Sequence, residues 1–347
     1  MMSRRAVLKS IGLIGLAAAA GAQPAAAQTL TPETSRWSGQ PLGRVSSAYM
    51  NYREAPSTDA DIVGNALQDD LVRVRRAVPG QTVYRHNNLW LETARGFLFS
   101  SFVQPVWYHL PNTPVSELGG GRWAQVTVPY TDAYWDPDGR DEARWVDRFY
   151  YGSTIRVAEL VAGADGLMWY KARELYQSFH MRATHLNLLD EDALTPLSPE
   201  VDRKWIDVNL SQQVLTCYEG DTPVFSHLVS TGLSDYATPT GTHYVFDKRL
   251  SERMVGGRAA DDEISDRYNL GGVPFTCYIT GDWVAIHGCY WHNDYGIPRS
   301  HGCINLPNDA ARFVWRWTTP AVADESLDDL FVRGSYHREG TRVEVHY

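Results

Sequence analysis

Hydrophobic and polar residues alternate with a period of two over many short stretches of this 347-residue chain. Residues 205–210 and 213–218 show the alternation clearly, and turn-forming residues such as Gly, Pro and Asp separate such stretches. Successive side chains of a strand point to opposite faces, so this pattern is typical of β-strands with one buried face. In residues 307–317, apolar residues instead recur at helical spacing. The pattern predicts a mainly β protein with a short helix near its C-terminus.

The alternating stretches fall into three regions. Short strands between turns over residues 43–107 predict a small β barrel. A second unit over 121–190 has a similar length, and Trp169 lies in it where Trp90 lies in the first, which indicates a degenerate internal repeat. Residues 204–347 form a third unit that begins as a β meander. The chain length agrees with a division into more than one domain.

Some local features of the third unit can also be predicted. Residues 248–270 combine charges and glycines with little periodicity, which predicts a long loop, either a lid or a surface excursion. The apolar run 283–287 predicts a short strand, and 341–347 a final one. In the helix over 307–317, Asn308 is placed to cap the N-terminus.

Composition limits the partners and the location of the protein. The net charge is −9 and no basic patch is evident, which argues against nucleic acid as the main partner. Arg4 and Arg5 precede an apolar run over 11–20 and small residues at 25–27, an order that resembles a twin-arginine export signal. The run is shorter than the roughly 20 apolar residues of a membrane span. We expect a signal peptide over 1–27, no stable membrane span, and export to the periplasm or cell wall.

The cysteines, Cys217, Cys277, Cys289 and Cys303, all lie in the third unit. Four cysteines allow three disulfide pairings, and exported proteins often contain disulfides. Cys217 and Cys277 each lie in a strand-like run and are either buried free thiols or a bridge. Cys289 either lines a pocket passively or acts as a resolving thiol for Cys303.

One short stretch contains the residue types of nucleophilic catalysis. Residues 300–305 read Ser-His-Gly-Cys-Ile-Asn, and His287-Gly288 lies upstream, with His287 sixteen positions before Cys303. A thiol is only about a few per cent thiolate at neutral pH, so catalysis needs a neighbouring base or a positive environment. His287 and His301 are the local candidates for that base.

This arrangement resembles the active-site signature of the L,D-transpeptidase catalytic domain family, and the resemblance covers roughly residues 204–347. The residues that carry it lie in several segments of the third unit: 238–242, 273–276, His287, Gly288, Gly296, Pro298 and 300–305. In that family a cysteine attacks the carbonyl of the third residue of a peptidoglycan stem peptide. A thioester forms with loss of D-alanine, and an amine of a second stem completes a cross-link.

The resemblance implies a role for each matching residue. Cys303 is the expected nucleophile and His287 the expected general base and acid, with the backbone carbonyl of Gly288 orienting the imidazole. The N–H of Gly302 is the expected oxyanion donor. The expected substrate-binding residues are Ser300, His301, Asn305, Arg299 and His292. Peptidoglycan stem peptides are the implied partners, and no cofactor or metal is implied.

The two N-terminal units carry a looser resemblance. Residues 50–57 resemble the opening segment of bacterial SH3-like domains, and residues 90–93, 96–98 and 101–103 resemble their closing strands. The implied architecture is two small SH3-like β barrels followed by a β-rich catalytic domain. Such modules either bind wall peptides or act as spacers that position the catalytic domain.

Other functions are compatible with the same residues. Water in place of the acceptor amine would make the site an L,D-carboxypeptidase or an endopeptidase. His287, Cys289, His292, His301 and Cys303 are of the types that bind zinc, but their spacing matches no common zinc pattern. A non-catalytic wall-binding protein is a further alternative, and the intact pair of nucleophile and base argues against it.

Overall fold

The computed structural model describes backbone and side chains over several ranges of the chain: 42–107, 111–139, 141–257, 267–321, 332–333 (backbone only) and 340–347. The predicted export signal, residues 1–27, lies outside the described residues. Strands make up 50% and helices 9% of the structure. The prediction of a mainly β fold is therefore confirmed.

The first group of strands forms two sheets around one core. Its strands are β1 (Leu42–Val45), β2 (Tyr49–Arg53), β3 (Ile62–Leu67), β4 (Leu71–Arg73), β5 (Arg76–Tyr84), β6 (Asn87–Glu92), β7 (Phe97–Phe99) and β8 (Val103–Val106). One sheet has the order β3-β2-β7-β6-β5, and the other β4-β1-β8. In β2, Met50 and Tyr52 are buried and Tyr49 is exposed, as the period-two pattern requires.

The second group forms one seven-stranded antiparallel sheet. Its strands are β9 (Arg122–Val126), β10 (Tyr130–Tyr134), β11 (Trp145–Tyr150), β12 (Thr154–Ala162), β13 (Met168–Arg173), β14 (Ser178–Arg182) and β15 (Leu186–Leu188). Their order is β11-β10-β14-β13-β12-β9-β15. Phe149, Ile155 and Phe179 lie in its core. That these two groups are SH3-like barrels with the limits 43–107 and 121–190 stays a prediction.

The third group contains two five-stranded sheets and follows a short helix, α1 (Glu191–Leu194). Its elements are β16 (Lys204–Asn209), β17 (Val214–Glu219), β18 (Thr222–Leu228), β19 (Gly241–Tyr244), β20 (Asp247–Gly256), β21 (Tyr268–Tyr278), β22 (Ala285–Gly288), β23 (Ile304–Leu306), α2 (Asn308–Trp317), β24 (Val332–Arg333) and β25 (Arg342–His346). The sheet orders are β18-β17-β16-β25-β19 and β23-β22-β21-β20-β24. Helix α2 packs on β21 and β22.

The prediction of a long loop over 248–270 is wrong for residues 248–256 and 268–270, which are strand, while residues 258–266 lie outside the described residues. Strands β20 and β21 pair antiparallel, from Asp247 opposite Tyr278 to Gly256 opposite Tyr268. The charged residues of β20 find ionic partners, for example Arg253 with Glu174 of the second group, at 2.6 Å. Because polar residues are part-buried through such pairs, the strand shows no alternation of hydrophobic and polar residues.

The helix predicted over 307–317 is present as α2, but Asn308 does not cap it. Pro307 occupies the N-cap position without a side-chain bond, and Asn308 is the first helical residue. The Asn308 side-chain amide instead donates to the carbonyl oxygen of Tyr151 in the second group, at 3.4 Å. Among the described residues, no helix has the length and apolar character that a bilayer span requires.

Hydrogen bonds join the first group of strands to the third. The guanidinium of Arg44 donates to the carbonyl oxygen of Tyr290 at 2.6 Å, and the Ser101 hydroxyl donates to Asp294 at 2.6 Å. Tyr290 and Asp294 both lie between β22 and β23, in the segment that leads to residues 300–303. The first group therefore helps to hold the segment that precedes Cys303.

Candidate active site

The framework of the site is the parallel pair β22 and β23. In its register Ile286 lies opposite Ile304, and His287 lies opposite Asn305. Both isoleucines are fully buried in the core of the third group, so the alternation of the strands turns His287 and Asn305 to the other face. Cys303 directly precedes β23, two residues before Asn305, and its sulfur accepts a hydrogen bond from the backbone of Ala285 on β22. The register therefore brings Cys303 beside the strand that carries His287.

His287 is held as a neutral base. Its side chain is buried, and Nδ1 lies 3.0 Å from the carbonyl oxygen of Gly288. A carbonyl oxygen only accepts, so Nδ1 carries the proton and Nε2 keeps its lone pair. Burial lowers the pKa of His287 to about 4, against a smaller opposing effect of the Gly288 carbonyl. The imidazole is therefore uncharged at neutral pH and able to accept a proton at Nε2.

The thiol of Cys303 is free and partly exposed. Its sulfur lies 3.9 Å from the carbonyl oxygen of Trp283. Burial of the sulfur raises the pKa of Cys303 to about 11, and a hydrogen bond from the backbone of Ala285 opposes that rise. The resting pair is thus a neutral thiol beside a neutral imidazole, rather than thiolate and imidazolium.

The turn before the nucleophile is fixed by hydroxyl groups. Gly302 has φ +115°, a conformation that a side chain disfavours. The Ser300 hydroxyl donates to the carbonyl oxygen of Cys303 at 2.6 Å and accepts from the N–H of Gly302 at 3.1 Å. The Thr238 hydroxyl donates to the carbonyl oxygen of Gly302 at 2.7 Å. The Gly302 N–H is engaged here, so the predicted oxyanion role requires its bond to Ser300 to open.

His301 lies in an aromatic wall next to the nucleophile. Its ring centroid is 4.3 Å from that of Tyr236 and 5.1 Å from that of Tyr268. The side chain is half-buried, so one part of the ring can meet a ligand. Of the two histidines considered as the base, His301 thus borders the site, whereas His287 lies on the strand adjacent to Cys303.

Comparison with known proteins agrees with this geometry. Residues 203–345 match the family model of the L,D-transpeptidase catalytic domain (YkuD). This part of the chain is an L,D-transpeptidase catalytic domain. The resemblance seen in the sequence is thereby confirmed for the third unit.

Individual relatives are similar to the L,D-transpeptidase domain at low identity. YciB of Bacillus subtilis (strain 168), whose name classes it as an L,D-transpeptidase, is 27% identical over 132 residues, which are 34% of this chain and 63% of that protein. A mutant Enterococcus faecium L,D-transpeptidase structure is 22% identical, with a TM-score of 0.31, over 43% of this chain and 51% of that one. An L,D-transpeptidase from Mycobacterium smegmatis is 16% identical, with a TM-score of 0.32, over 71% and 89%. The match thus spans less than two thirds of YciB and about half of the Enterococcus structure.

Asn305 of β23 and His292 form a buried pair in the L,D-transpeptidase domain. The Asn305 amide lies 3.0 Å from Nε2 of His292, and Nδ1 of His292 accepts from the N–H of Asp294 at 3.2 Å. Burial, followed by the charges of Arg299 and His287, lowers the pKa of His292 to about 3. Both ring nitrogens have partners inside the protein. The predicted substrate contacts of His292 and Asn305 stay predictions, and this geometry gives both residues a supporting position.

Arg299 is bound to a buried carboxylate. Its Nε donates to Asp294 at 2.7 Å, and its guanidinium lies 5.2 Å from the ring centroids of Tyr84 and Phe102 in the first group. The Asp294 side chain is fully buried and also accepts from Ser101. The predicted substrate contact of Arg299 stays a prediction, while the structure makes Arg299 part of a junction between two groups of strands.

Three further residues near Cys303 escaped the sequence reasoning. Thr238 fixes the turn at Gly302, and its position between turn residues of a Thr-Pro-Thr-Gly segment was the available signal. Trp283 has φ +71°, rare for a large side chain, and offers its carbonyl oxygen to the sulfur. Tyr278 is buried, and burial together with the charge of Glu252 raises its pKa, with a smaller contribution from Cys303. The phenol therefore stays protonated beside the thiol.

The other cysteines are free thiols. Cys217 and Cys277 lie in the core of the L,D-transpeptidase domain, so of the two alternatives the structure shows free thiols rather than a bridge. Cys289 is buried, its sulfur lies 3.9 Å from the carbonyl oxygen of His292, and burial raises its pKa to about 12. It is not bonded to Cys303. Within the described ranges, no three His, Cys, Asp or Glu side chains are grouped closely enough to hold a metal ion.

Proposed function

We propose that the chain is a peptidoglycan L,D-transpeptidase that cross-links stem peptides through a thioester on Cys303. The observation that supports it best is a free, partly exposed thiol directly before β23, beside the strand β22 that carries a buried imidazole. The bond from Nδ1 of His287 to Gly288 leaves Nε2 as the proton acceptor without any third side chain. The substrates and the overall activity are part of this proposal.

The first half of the reaction transfers an acyl group to sulfur. Nε2 of His287 takes the thiol proton as Sγ of Cys303 attacks the carbonyl carbon of the third residue of a donor stem. The negative charge that develops on the carbonyl oxygen requires prearranged N–H donors, and those of Gly302 and Cys303 are nearest in sequence to the sulfur. The C–N bond to D-alanine then breaks, and His287 returns its proton to the leaving amine.

The second half repeats these steps with an acceptor. An amine of a second stem attacks the thioester carbon, and Nε2 of His287 takes a proton from that amine. The C–S bond breaks, the new amide forms, and the proton returns to sulfur. Because the pKa values of His287 and Cys303 are about 4 and about 11, the proton moves to the imidazole only as the carbon–sulfur bond forms.

The N-terminal units and the location belong to the same proposal. We infer that residues 43–107 and 121–190 are SH3-like modules that position the catalytic domain over 204–347. The ion pair of Arg253 with Glu174 and the bond of Ser101 to Asp294 support a fixed arrangement rather than a loose tether. The Arg-Arg segment at the N-terminus supports export, so that the enzyme would act in the periplasm or cell wall.

The test is incubation of the purified chain with disaccharide-tetrapeptides, followed by mass spectrometry. Cross-linked dimers are the expected product, and Cys303→Ala and His287→Ala should each abolish them. Cys217→Ala removes a thiol from the core and His346→Ala an imidazole outside the site, and both should retain activity. Tripeptides without dimers would instead identify a hydrolase, and unchanged substrate with the wild-type chain would contradict both.

A further inference from the structure

A cavity of about 400 Å³ lies where the three groups of strands meet. Gln68 contributes to its lining from the first group, Trp145 and Tyr150 from the second, and Asn269 and Trp291 from the L,D-transpeptidase domain. Neither Cys303 nor His287 lines it. Its volume is within the range of small-ligand sites, about 300 to 1,000 Å³, which occur preferentially at domain interfaces.

The charged side chains of this cavity are already paired with one another or with neighbours. Arg44 and Arg148 both bind Asp69, at 2.8 and 3.0 Å, and Asp147 binds Arg253 at 2.7 Å. A charged ligand would therefore meet no uncompensated charge and would lose its own hydration on entering. The cavity is suited to a neutral ligand.

The remaining lining combines aromatic rings with amide groups. The rings of Tyr150 and Tyr290 pack at 5.3 Å with 31° between their planes, and the Trp145 side chain is 46% exposed. Gln68 and Asn269 are exposed beside these rings; the Asn269 side-chain oxygen accepts from Arg253 at 2.7 Å and the Gln68 side chain bonds Tyr150, so a ligand would meet the remaining polar atoms of both amides. A sugar ring has a C–H face that packs on an aromatic ring and a rim of hydroxyl and acylamino groups that bind amides.

Two contacts connect the cavity to the catalytic residues. The ring of Trp291, which lines the cavity, lies 5.7 Å from that of His287 at an angle of 35°. Tyr268, which contacts His301, directly precedes Asn269 on β21. A ligand in the cavity would thus lie one side chain away from the catalytic imidazole.

We propose that this cavity binds the neutral, N-acylated amino-sugar disaccharide that carries a stem peptide, and so positions that stem for reaction at Cys303. The inference rests on the proposed function, and it adds a glycan site to it. All three groups of strands contribute to the site, so it gives the N-terminal units a direct part in substrate binding. The aromatic faces provide the contact area, and the amides of Gln68 and Asn269 provide the hydrogen bonds.

The first test measures binding without catalysis. The peptide-free disaccharide of peptidoglycan is titrated into the full chain by isothermal titration calorimetry. In Trp145→Ala, the Kd should rise at least about tenfold, the equivalent of about 1.4 kcal/mol for one lost aromatic anchor. Trp135→Ala, which removes an exposed tryptophan of the same group of strands away from the cavity, should bind as the wild type does. Absence of binding to the wild type, or equal Kd values for wild type and Trp145→Ala, would overturn the proposal.

The second test separates this inference from the proposed function. The kcat/KM of a disaccharide-tetrapeptide is divided by that of the sugar-free tetrapeptide for wild type, Trp145→Ala and Trp135→Ala. We expect this ratio to fall about tenfold in Trp145→Ala alone. Equal kcat/KM for both substrates in the wild type would reject the glycan site and leave the enzyme assignment intact. Disaccharide binding that weakens in Trp145→Ala, without product from either substrate, would support the site and reject the enzyme assignment.

Discussion

Nδ1 of His287 lies 3.0 Å from the carbonyl oxygen of Gly288, and this bond determines which nitrogen of the buried imidazole can act as a base. Both atoms belong to the same short strand, so the orientation of the ring is set by the backbone. The bond from Nδ1 leaves Nε2 as the free nitrogen, and burial keeps the ring neutral. The proposed dyad of Cys303 and His287 would thus be activated during the reaction rather than in the resting state.

The first prediction concerns alkylation of Cys303. Because burial raises its pKa to about 11 and lowers that of His287 to about 4, no thiolate–imidazolium pair forms at rest. The rate constant for iodoacetamide, followed by mass spectrometry, should keep rising with pH through 9. His287→Gln should give a profile of the same shape. A plateau already reached below pH 7 in the wild type, lost in His287→Gln, would contradict the neutral dyad.

The second prediction concerns acid stability and His292. Its pKa is about 3 in the folded protein, below the ordinary value of 6.5. Between these values the unfolded chain binds a proton that the folded chain excludes, so stability is lost as the pH falls below 6.5. The loss is about 2 to 3 kcal/mol at pH 4.5. The free energy of unfolding of the wild type and of His292→Gln is measured in urea at pH 7.5 and at pH 4.5. Between these pH values the wild type should lose this amount of stability relative to His292→Gln. Identical losses of stability in the wild type and in His292→Gln would contradict this prediction.

Sequence reasoning identified the features that depend on local pattern. The strand that carries His287 follows from its apolar run, the final strand follows from its local pattern, and helix α2 follows from its apolar spacing. Chemistry indicated Cys303 as the candidate nucleophile with His287 or His301 as its base, and the family resemblance implied His287. The register of β22 and β23 then accounts for how the strand that carries His287 lies beside the strand that follows Cys303.

The remaining features depend on contacts between distant parts of the chain. Strand β20 has no alternation because its charged residues pair with one another, as Arg249 does with Asp247, or with the second group of strands, as Arg253 does with Glu174. Ser101 and Asp294 are 193 positions apart, and neither has a local pattern that predicts their bond. The cavity lined by Trp145 and Trp291 exists only once three units have packed. No periodicity encodes such contacts.

The third prediction tests the turn at Gly302. Its φ of +115° disfavours any side chain, although a Cβ would meet no atom closer than 3.4 Å. Gly302→Ala should therefore shift the Cys303 backbone rather than create a clash, at a cost of about 1 to 3 kcal/mol. Cross-linking activity should fall at least about tenfold if this strain is relieved at the nucleophile.

The matched control for that change is Gly220→Ala. Gly220 also has positive φ, at +63°, and open space around its Cα, but it lies in the turn between β17 and β18. The Gly220→Ala substitution should lower the midpoint of urea unfolding and leave cross-linking activity unchanged. Equal activity losses in the two variants would show that lost stability, rather than displacement of Cys303, explains the effect of Gly302→Ala.

The last prediction tests whether the first group of strands holds the segment that leads to the nucleophile. Asp294 accepts from Ser101 at 2.6 Å and from Arg299 at 2.7 Å, and all of its side chain is buried. Asp294→Ala leaves the Arg299 guanidinium without its carboxylate and should cost about 3 kcal/mol. Ser101→Ala removes the bond to Asp294 and the bond that the Ser101 hydroxyl accepts from Asn87 at 2.9 Å, and should cost about 2 kcal/mol.

Hydrogen exchange of residues 291–300 is the measurement that separates this role from general stability. Ser101→Ala and Asp294→Ala should both accelerate exchange in this segment at pH 7. Ser100→Ala is the matched control, because the Ser100 hydroxyl is equally buried but its side-chain bonds go to Asn87 within the first group. It should leave exchange of residues 291–300 unchanged. If Ser100→Ala accelerates that exchange as much as Ser101→Ala does, the bond between Ser101 and Asp294 does not hold the segment, because loosening of the first group alone then suffices.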